Sequence, residues 1–155
     1  EIAQPVISIT DELLGLLDDM TDTMYDAPGI GLAANQIGRL ERVIVMDCAK
    51  DDGTAELWKM INPEIISSSE KTAKLEEGCL SIPGHHGDVV RPAEVEVRYL
   101  GTDGNIHEMQ ACGLLAACIQ HEIDHLNGVL FIDHLSSLKR DMIWRKVLKE
   151  AKARL

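Results

Sequence analysis

The stretch CGLLAACIQHEIDHLNG, Cys112–Gly128, decides the fold. Ala, Leu, Ile and Cys fill most of it, which predicts a largely buried helix that ends at an Asn-Gly pair. Within it, His121, Glu122 and His125 have the spacing His-Glu-x-x-His, and residues four apart lie on one face of a helix. The two histidines are therefore predicted to bind one metal ion, with Glu122 beside them as a proton acceptor.

The third ligand of this site determines the class of protein, because a catalytic metal site usually has three protein ligands and an open position for water. Metzincins place a histidine where this chain has Phe131. His134 comes three residues too late, and Glu150 lies in a basic tail. Upstream, Cys79 in EEGCLSIPG offers a thiolate, a strong ligand for zinc or ferrous iron, although a single cysteine is more commonly a buried structural residue.

The remaining sequence predicts an α+β fold, in which the central buried helix packs against antiparallel or mixed β-sheets, with an N-terminal and a C-terminal helix. Residues 10–26 have a helical apolar period, with a cap at Ser8 or Thr10 and an end at Pro28-Gly29. GIGLAANQIG is expected to form a loop, and SSSEKTAK a polar connection. Strands are expected in ERVIVMD, ELWKMIN, AEVEVRYL and NIHEMQA, the last two as a hairpin.

The composition predicts one soluble globular domain, residues 1–155. A net charge of −11 argues against DNA binding and against anionic membranes, and no apolar run is long enough to span a bilayer. Four cysteines are too few for a disulfide scaffold and favour a reducing compartment. The segment 138–155 is different, because its seven basic and two acidic residues give it a net charge of +5.

Three motifs then resemble a known family. GIGLAANQ (Gly29–Gln36), EGCLS (Glu77–Ser81) and QHEIDHL (Gln120–Leu126) are similar, in order and separation, to the signature motifs of the peptide deformylases. These enzymes remove the formyl group from the N-terminal formylmethionine of newly made polypeptides. The resemblance implies that Cys79 completes the metal site with the two histidines. It also implies one divalent ion per chain: Fe²⁺ in the cell, and Zn²⁺, Ni²⁺ or Co²⁺ in purified protein.

The resemblance also implies roles for individual residues. Glu122 is the general base for a metal-activated water, and the formyl oxygen is met by the side-chain amide of Gln36 and the backbone N–H of Leu80. On its residues alone, Gln36 is better explained as a loop amide that binds its own backbone. Substrate backbone contacts are expected at Ile30, Gly31 and Gly78, and the methionine pocket is expected to be lined by Ile30, Leu75, Leu114, Ala117, Cys118 and His121.

Two departures from the family pattern concern the cleft. A segment that family members usually carry before EIAQPV is missing from the sequence, and we expect either trimming or a shortened member. His86 stands where the family often has an arginine, so a charged substrate contact is expected to be weakened or pH-dependent there. The favoured interpretation of His85 and His86 is nevertheless an exposed loop without a role.

The basic C-terminal helix has two interpretations. It docks on the domain through an apolar stripe, with its charges solvated, or it also binds ribosomal RNA near the exit of the nascent chain. The stripe consists of Leu138, Met142, Val147, Leu148, Ala151 and Leu155.

The overall hypothesis is a metal-dependent deformylase acting on nascent formyl-Met peptides in a bacterial cytoplasm or a bacterial-type organelle. Two alternatives remain: an inactive homologue that keeps the metal as a structural clasp, and a zinc endopeptidase with a carboxylate as its third ligand.

Overall fold

The computed structural model describes residues 2–27, 29–48, 56–79 and 82–153 and confirms an α+β fold. Two short 3₁₀ helices, Ala34–Ile37 and Phe131–His134, accompany the main elements. In chain order these are α1 (Asp11–Asp26), β1 (Gly31–Ala33), β2 (Val43–Asp47), β3 (Leu57–Ser68), β4 (Thr72–Cys79), β5 (Ile82–Pro92), β6 (Glu94–Leu100), β7 (Ile106–Cys112), α2 (Gly113–Leu126) and α3 (Ser137–Ala153).

The strands form two sheets. A five-stranded sheet has the order β1-β2-β3-β6-β7, and β4 and β5 form a separate hairpin. Every named strand pair is antiparallel, so the antiparallel alternative is confirmed and the mixed one is wrong. Within the described ranges, parallel pairing is limited to an isolated bridge between Gln4 and Glu41.

Strand β2 lies between two helices, which explains its continuous apolar run. Val43 and Val45 pack in a cluster with the apolar side of α1, whereas Ile44 and Met46 pack in a cluster with α2. All four side chains are fully buried. Because side chains alternate between the faces of a strand, a strand covered on both faces must be apolar at every position.

Helix α1 begins where the sequence predicts. The hydroxyl of Thr10 accepts a hydrogen bond from the N–H of Leu13 at 3.1 Å, an N-cap contact. At the other end the N–H of Gly29 donates to the carbonyl of Met24 at 2.7 Å. Pro28, the predicted end of the helix, lies outside the described residues.

Two segments predicted to be irregular are partly regular. GIGLAANQIG contains β1 and a 3₁₀ helix, and in SSSEKTAK β3 ends at Ser68 and β4 begins at Thr72, so residues 69–71 alone connect them. The absence of a side chain at Gly31 permits β1 to lie against α2, since a Cβ there would be 2.4 Å from a carboxylate oxygen of Glu122. A close approach of this kind depends on a partner distant in sequence, so the glycines alone suggested a loop.

The C-terminal end of α2 is held by the N-terminal segment. The N–H of Ala3 donates to the carbonyl of Leu126 at 2.8 Å, and the guanidinium of Arg42 donates to the same carbonyl at 3.3 Å and to Oδ1 of Asn127 at 2.9 Å. Gly128 follows with φ of +80°, the left-handed conformation that commonly ends a helix. These contacts fix the turn that carries the second histidine of the motif.

Helix α3 docks through a different face from the one predicted. Of its described side chains, Ile143 and Val147 alone are half-buried, packed on the cluster of Val89, Phe131 and Ile132. The predicted apolar stripe is wrong except for Val147, because Leu138, Met142, Leu148 and Ala151 are exposed, and Leu155 lies outside the described residues. The apolar residues of this helix are spread around its axis, so the sequence did not specify the docked face.

No helix in the described ranges is both long and apolar enough to cross a membrane.

Candidate metal centre

Three side chains from two elements converge at one point. Cys79 ends β4, and His121 and His125 are one turn apart on α2. Their ligand atoms all lie within 4.8 Å of one another. Nε2 of His125 is 3.1 Å from Sγ of Cys79 and 3.1 Å from Nε2 of His121. The structure therefore brings together the three ligands that the sequence resemblance implies.

The residues present fit a single divalent ion. Zinc binds sulfur at about 2.3 Å and imidazole nitrogen at about 2.0–2.1 Å, so donors that share one ion lie a few ångströms apart, as they do here. One sulfur and two imidazole nitrogens suit zinc or ferrous iron. A second observation concerns Glu122, which follows His121 on α2: its Oε1 atom is buried and has no hydrogen-bond partner among the described residues, so it keeps an unused acceptor.

A chain of polar contacts orients His121 from behind. Its Nδ1 atom lies 2.8 Å from Oε1 of Glu77, which leaves Nε2 directed at the site. Arg91 donates from Nε and Nη2 to the two oxygens of Glu77, at 2.7 and 2.9 Å. Arg91 also donates from Nη1 to Asp124 at 2.7 Å, and Asp124 is 2.8 Å from Nε2 of His134.

Burial and hydrogen bonding have opposite effects on the pKa values of Glu77 and His121. Burial alone would raise the pKa of Glu77, but its hydrogen bonds to His121 and Arg91 outweigh it and lower that pKa to about 2. Burial alone would lower the pKa of His121, but its contacts with Cys79 and Glu77 outweigh it and raise that pKa. Glu77 therefore stays ionised behind His121.

Glu122 has the opposite environment. It lies between the two histidines on α2 and is 4% exposed. Loss of solvation raises its pKa to about 7, even though the neighbouring histidines act to lower it. A carboxylate that titrates near neutral pH can both accept and return a proton under physiological conditions.

The side chain of Gln36 makes the loop contact that its own residues favoured and lies next to Cys79. Its Oε1 accepts a hydrogen bond from the backbone N–H of Ala33 at 2.8 Å, so the amide does bind its own loop. That contact fixes the other end of the amide, whose Nε2 is 3.4 Å from Sγ of Cys79. Leu80, whose N–H the resemblance places beside this amide, lies outside the described residues.

The expected substrate residues divide into two groups. The first lies beside Glu122: the carbonyl of Ile30 accepts from Sγ of Cys118 at 3.7 Å, and a Cβ on Gly31 would be 2.9 Å from the same sulfur. The second is a narrow pocket lined by Leu75 and Ala117, with Glu77 and Arg91 in its wall. Leu114, in the first turn of α2, does not line this pocket and is 44% exposed.

The prediction of an exposed loop at His85 and His86 is wrong. Both lie in β5, and the side chain of His85 is 12% exposed, with Nε2 3.3 Å from the carboxylate of Glu150 on α3. His86 is exposed but pairs with Gly78, and a Cβ on Gly78 would lie 2.4 Å from its Nδ1 atom. The ring of His86 therefore covers one side of the glycine that was expected to contact substrate.

Sequence reasoning missed the residues behind His121. Glu77 was quoted as part of a motif but given no role, and Arg91, Asp124 and His134 were not connected to it. The signal available was an isolated arginine in GDVVRP, next to two valines, because a buried arginine requires carboxylate partners. Its partners are 14 and 33 residues away, and local patterns cannot identify them.

The family model for polypeptide deformylases matches residues 1–141 of this chain. The chain belongs to the peptide deformylase family.

Similar proteins agree with that assignment. A peptide deformylase of Mesorhizobium japonicum is 57% identical over 152 residues, which cover 98% of this chain and 86% of the relative. The crystal structure of a peptide deformylase from Ehrlichia chaffeensis superposes with a TM-score of 0.91 at 40% identity, over 99% of this chain and 90% of that one.

A peptide deformylase from Synechococcus elongatus, solved in complex with actinonin, has a TM-score of 0.89 at 45% identity, over 94% and 80% of the two chains. The hypothesis of a hydrolase that removes the N-formyl group from the N-terminal methionine of new polypeptides is thereby confirmed. The peptide deformylase family is metal-dependent, and Cys79, His121 and His125 form a group that could hold a metal ion.

Proposed function

We propose that Cys79, His121 and His125 hold the metal and that Glu122 is the catalytic base of deformylation. The observation that carries this proposal is the convergence of three ligand atoms next to a buried carboxylate that has an unpartnered oxygen. When bound, a divalent ion would polarise the formyl oxygen and make a water molecule more acidic. The residues 1–155 are taken as one catalytic domain, with 138–155 as an appended helix.

The reaction adds water to the formyl amide and gives formate and a free amine. Glu122 accepts the proton of the attacking water at its Oε1 atom and returns it to the departing amine nitrogen. Negative charge develops on the formyl oxygen, and the amide N–H of Gln36 and the backbone N–H of Leu80 stabilise it. The contact between Ala33 and Gln36 supports this role, because it prevents the amide from turning its oxygen towards the site.

The substrate residues follow from the two groups described above. Gly31 lets the substrate backbone lie along β1, next to Ile30, and Gly78 does the same at the end of β4. The methionine side chain is received by Leu75 and Ala117, which line the narrow pocket, and by Cys118, which lies beside Gly31; exposed Leu114 is assigned to the same subsite by the family resemblance.

The identity of the metal and the compartment are part of the proposal. We propose Fe²⁺ in the cell, with Zn²⁺, Ni²⁺ or Co²⁺ able to occupy the same donors after purification. The donor set supports either iron or zinc. The relatives named above are bacterial proteins, which supports a bacterial cytoplasm over a bacterial-type organelle.

The test is deformylation of formyl-Met-Ala-Ser by iron-loaded protein under anaerobic conditions. Glu122→Gln keeps the size of the side chain but removes the base, so we expect the rate to fall about 10²–10⁴-fold while metal content stays at one ion per chain. Glu108→Gln, on exposed strand β7, is the matched control and should leave the rate unchanged.

The two alternatives predict other results. If wild-type protein binds the metal but produces no formate, the site is a structural clasp. If Cys79→Ala still binds metal with wild-type affinity, the third ligand is another residue, as an endopeptidase would require.

We also propose that α3 binds the ribosome. It carries six basic residues within the described range, Lys139, Arg140, Arg145, Lys146, Lys149 and Lys152. Glu150, one of its two acids, contacts His85, so its charge is directed at the body of the protein. Exposed Trp144 and Leu148 add apolar surface to the free face. A basic helix on an acidic body suits a phosphate-rich partner.

Deleting the helix would expose the cluster beneath Ile143 and Val147, so charge reversal is the better test. We expect Arg145→Glu with Lys149→Glu to abolish co-sedimentation with ribosomes at low salt and to leave hydrolysis of the tripeptide unchanged. Lys74→Glu, an exposed charge on β4, is the control. Equal co-sedimentation of the two variants would show that α3 is not the contact.

A further inference from the structure

Two cysteines face each other across the contact between β2 and α2. Side chains alternate along a strand, so Cys48 continues the face of β2 that carries Ile44 and Met46. That face packs on α2, and Cys48 lies against the apolar cluster that contains Cys118. Neither cysteine belongs to the proposed set of metal ligands.

The backbone around Ile30 brings the two residues together. The carbonyl of Ile30 accepts one hydrogen bond from the N–H of Asp47 at 2.8 Å and another from Sγ of Cys118 at 3.7 Å. The sulfur of Cys118 therefore lies beside the residue that precedes Cys48. Its thiol is in hydrogen-bond contact with Cys48, and this contact, with burial and the nearby charge of Glu122, raises the pKa of Cys118.

The two thiols differ in their access to solvent. Cys48 is half-buried at the end of β2, whereas Cys118 is 5% exposed in the middle of α2. A small oxidant therefore reaches Cys48 first. Cys118 is protected, but it lies close enough to react with an oxidised neighbour.

We propose that Cys48 and Cys118 are a modification site, which a hydroperoxide converts to a reversible intramolecular disulfide. In the first step the sulfur of Cys48 attacks one oxygen of the hydroperoxide, the O–O bond breaks, the sulfur becomes a sulfenic acid, and the hydroperoxide is reduced to its alcohol, which is water when the oxidant is hydrogen peroxide. In the second step Cys118 loses its proton and its thiolate attacks that sulfur; the S–S bond forms, the S–O bond breaks, and the hydroxyl leaves with the proton as water. A low-molecular-weight dithiol reverses the reaction by thiol–disulfide exchange.

The cross-link has a consequence for the substrate pocket. Forming an S–S bond of about 2.05 Å from hydrogen-bond contact requires Cys118 to turn towards Cys48. Cys118 also lies next to Gly31 and Glu122. If Cys118 lines the methionine pocket, which rests on the proposed function, the oxidised protein should show a higher KM for formyl-Met-Ala-Ser.

The experiment uses the full chain loaded with zinc, because zinc does not itself react with peroxide by changing its oxidation state. The protein is treated with hydrogen peroxide, its remaining thiols are alkylated, and its peptides are mapped by mass spectrometry. We expect one linked pair, Cys48 with Cys118, about 2 Da lighter than the two reduced peptides. Dithiothreitol should restore both thiols.

Two variants control the result. Cys48→Ser should abolish the linked pair, whereas Cys112→Ser, at an exposed position on β7, should leave it intact. Circular dichroism of Cys48→Ser, with Cys48→Ala as a second variant, checks that the fold is kept. The peptide map does not depend on enzyme activity, so an inactive protein would contradict the proposed function without affecting this test.

The proposal is overturned if Cys112 is fully oxidised while Cys48 and Cys118 both remain thiols. It is equally overturned if Cys118 is found linked to Cys79, or if the same loss of mass persists in Cys48→Ser.

Discussion

Helices α2 and α3 have similar lengths, 14 and 17 residues, but very different surroundings. Ten residues of α2 are buried, including both histidines and the glutamate of the motif. Among the described side chains of α3, by contrast, Ile143 and Val147 are half-buried and the others are exposed. Burial on several sides fixes the functional groups of α2 in position, whereas α3 is attached along one line and presents its charges to solvent.

The largest expected loss of stability and of metal affinity comes from replacing Arg91. Its guanidinium connects the buried carboxylate of Glu77, which contacts His121, to Asp124 on α2. Arg91→Ala removes the guanidinium that contacts both oxygens of the buried Glu77 carboxylate and leaves it with His121 alone, so we expect a loss of about 3–5 kcal/mol in the free energy of unfolding. Metal affinity should fall about 10–100-fold, because the orientation of His121 depends on Glu77. Urea unfolding and competition with a chelator measure the two quantities.

The control for Arg91 is Arg98→Ala. Arg98 also pairs with a glutamate, Glu108, at 2.8 Å, but both side chains are nearly half exposed. Its loss should cost no more than about 1 kcal/mol and should leave metal binding unchanged. Equal effects of the two substitutions would mean that the buried chain of contacts does not support the metal site.

The second prediction concerns the stability of the protein at acidic pH. The pKa of Glu77 is about 2 in the folded protein, below its ordinary value of 4.5. The unfolded chain therefore binds this proton at a higher pH than the folded one, and the stability that Glu77 contributes is present above about pH 4.5 and is lost as the pH falls towards 2. Urea unfolding of metal-free protein between pH 6 and pH 3 should show this loss, and Glu77→Gln should have a flatter profile. A wild-type profile no steeper than that of the variant would contradict the ionised state of Glu77.

The third and smallest effect compares one substitution on both helices. Ile119→Val in α2 removes a methylene group from a fully buried side chain and should cost about 0.5–1.5 kcal/mol. Ile143→Val in α3 removes the same group from a half-buried side chain and should cost less than about 0.5 kcal/mol. Thermal unfolding measures both, and a larger loss at Ile143 would show that α3 is part of the main core.

The sequence predicted the elements whose signal is local. The central helix, the cap at Thr10 and the hairpin of β6 and β7 follow from apolar period, capping chemistry and turn residues, and all are present. The metal ligands could not all be predicted from local patterns, because the residues alone did not identify the third ligand. The resemblance to a family proposed Cys79, and the structure places its sulfur against His125.

What could not be predicted depends on contacts between distant parts of the chain. The strand at Gly31 exists because it pairs with Met46 and approaches α2, and a run of glycines does not reveal either partner. The same applies to α3, where several apolar residues compete and the cluster around Phe131 selects the face with Ile143. These features could not be predicted because the interacting residues are far apart in the sequence, not because their interactions are weak.

The central claim is that Cys79 binds the catalytic metal together with two histidines one turn apart. Its most direct test is the optical spectrum of the protein loaded with Co²⁺, because a thiolate bound to cobalt gives a sulfur-to-metal charge-transfer band. We expect this band in the wild type and in Cys118→Ser, and we expect Cys79→Ser to remove it. A band that survives in Cys79→Ser, or that disappears in Cys118→Ser, would contradict the account.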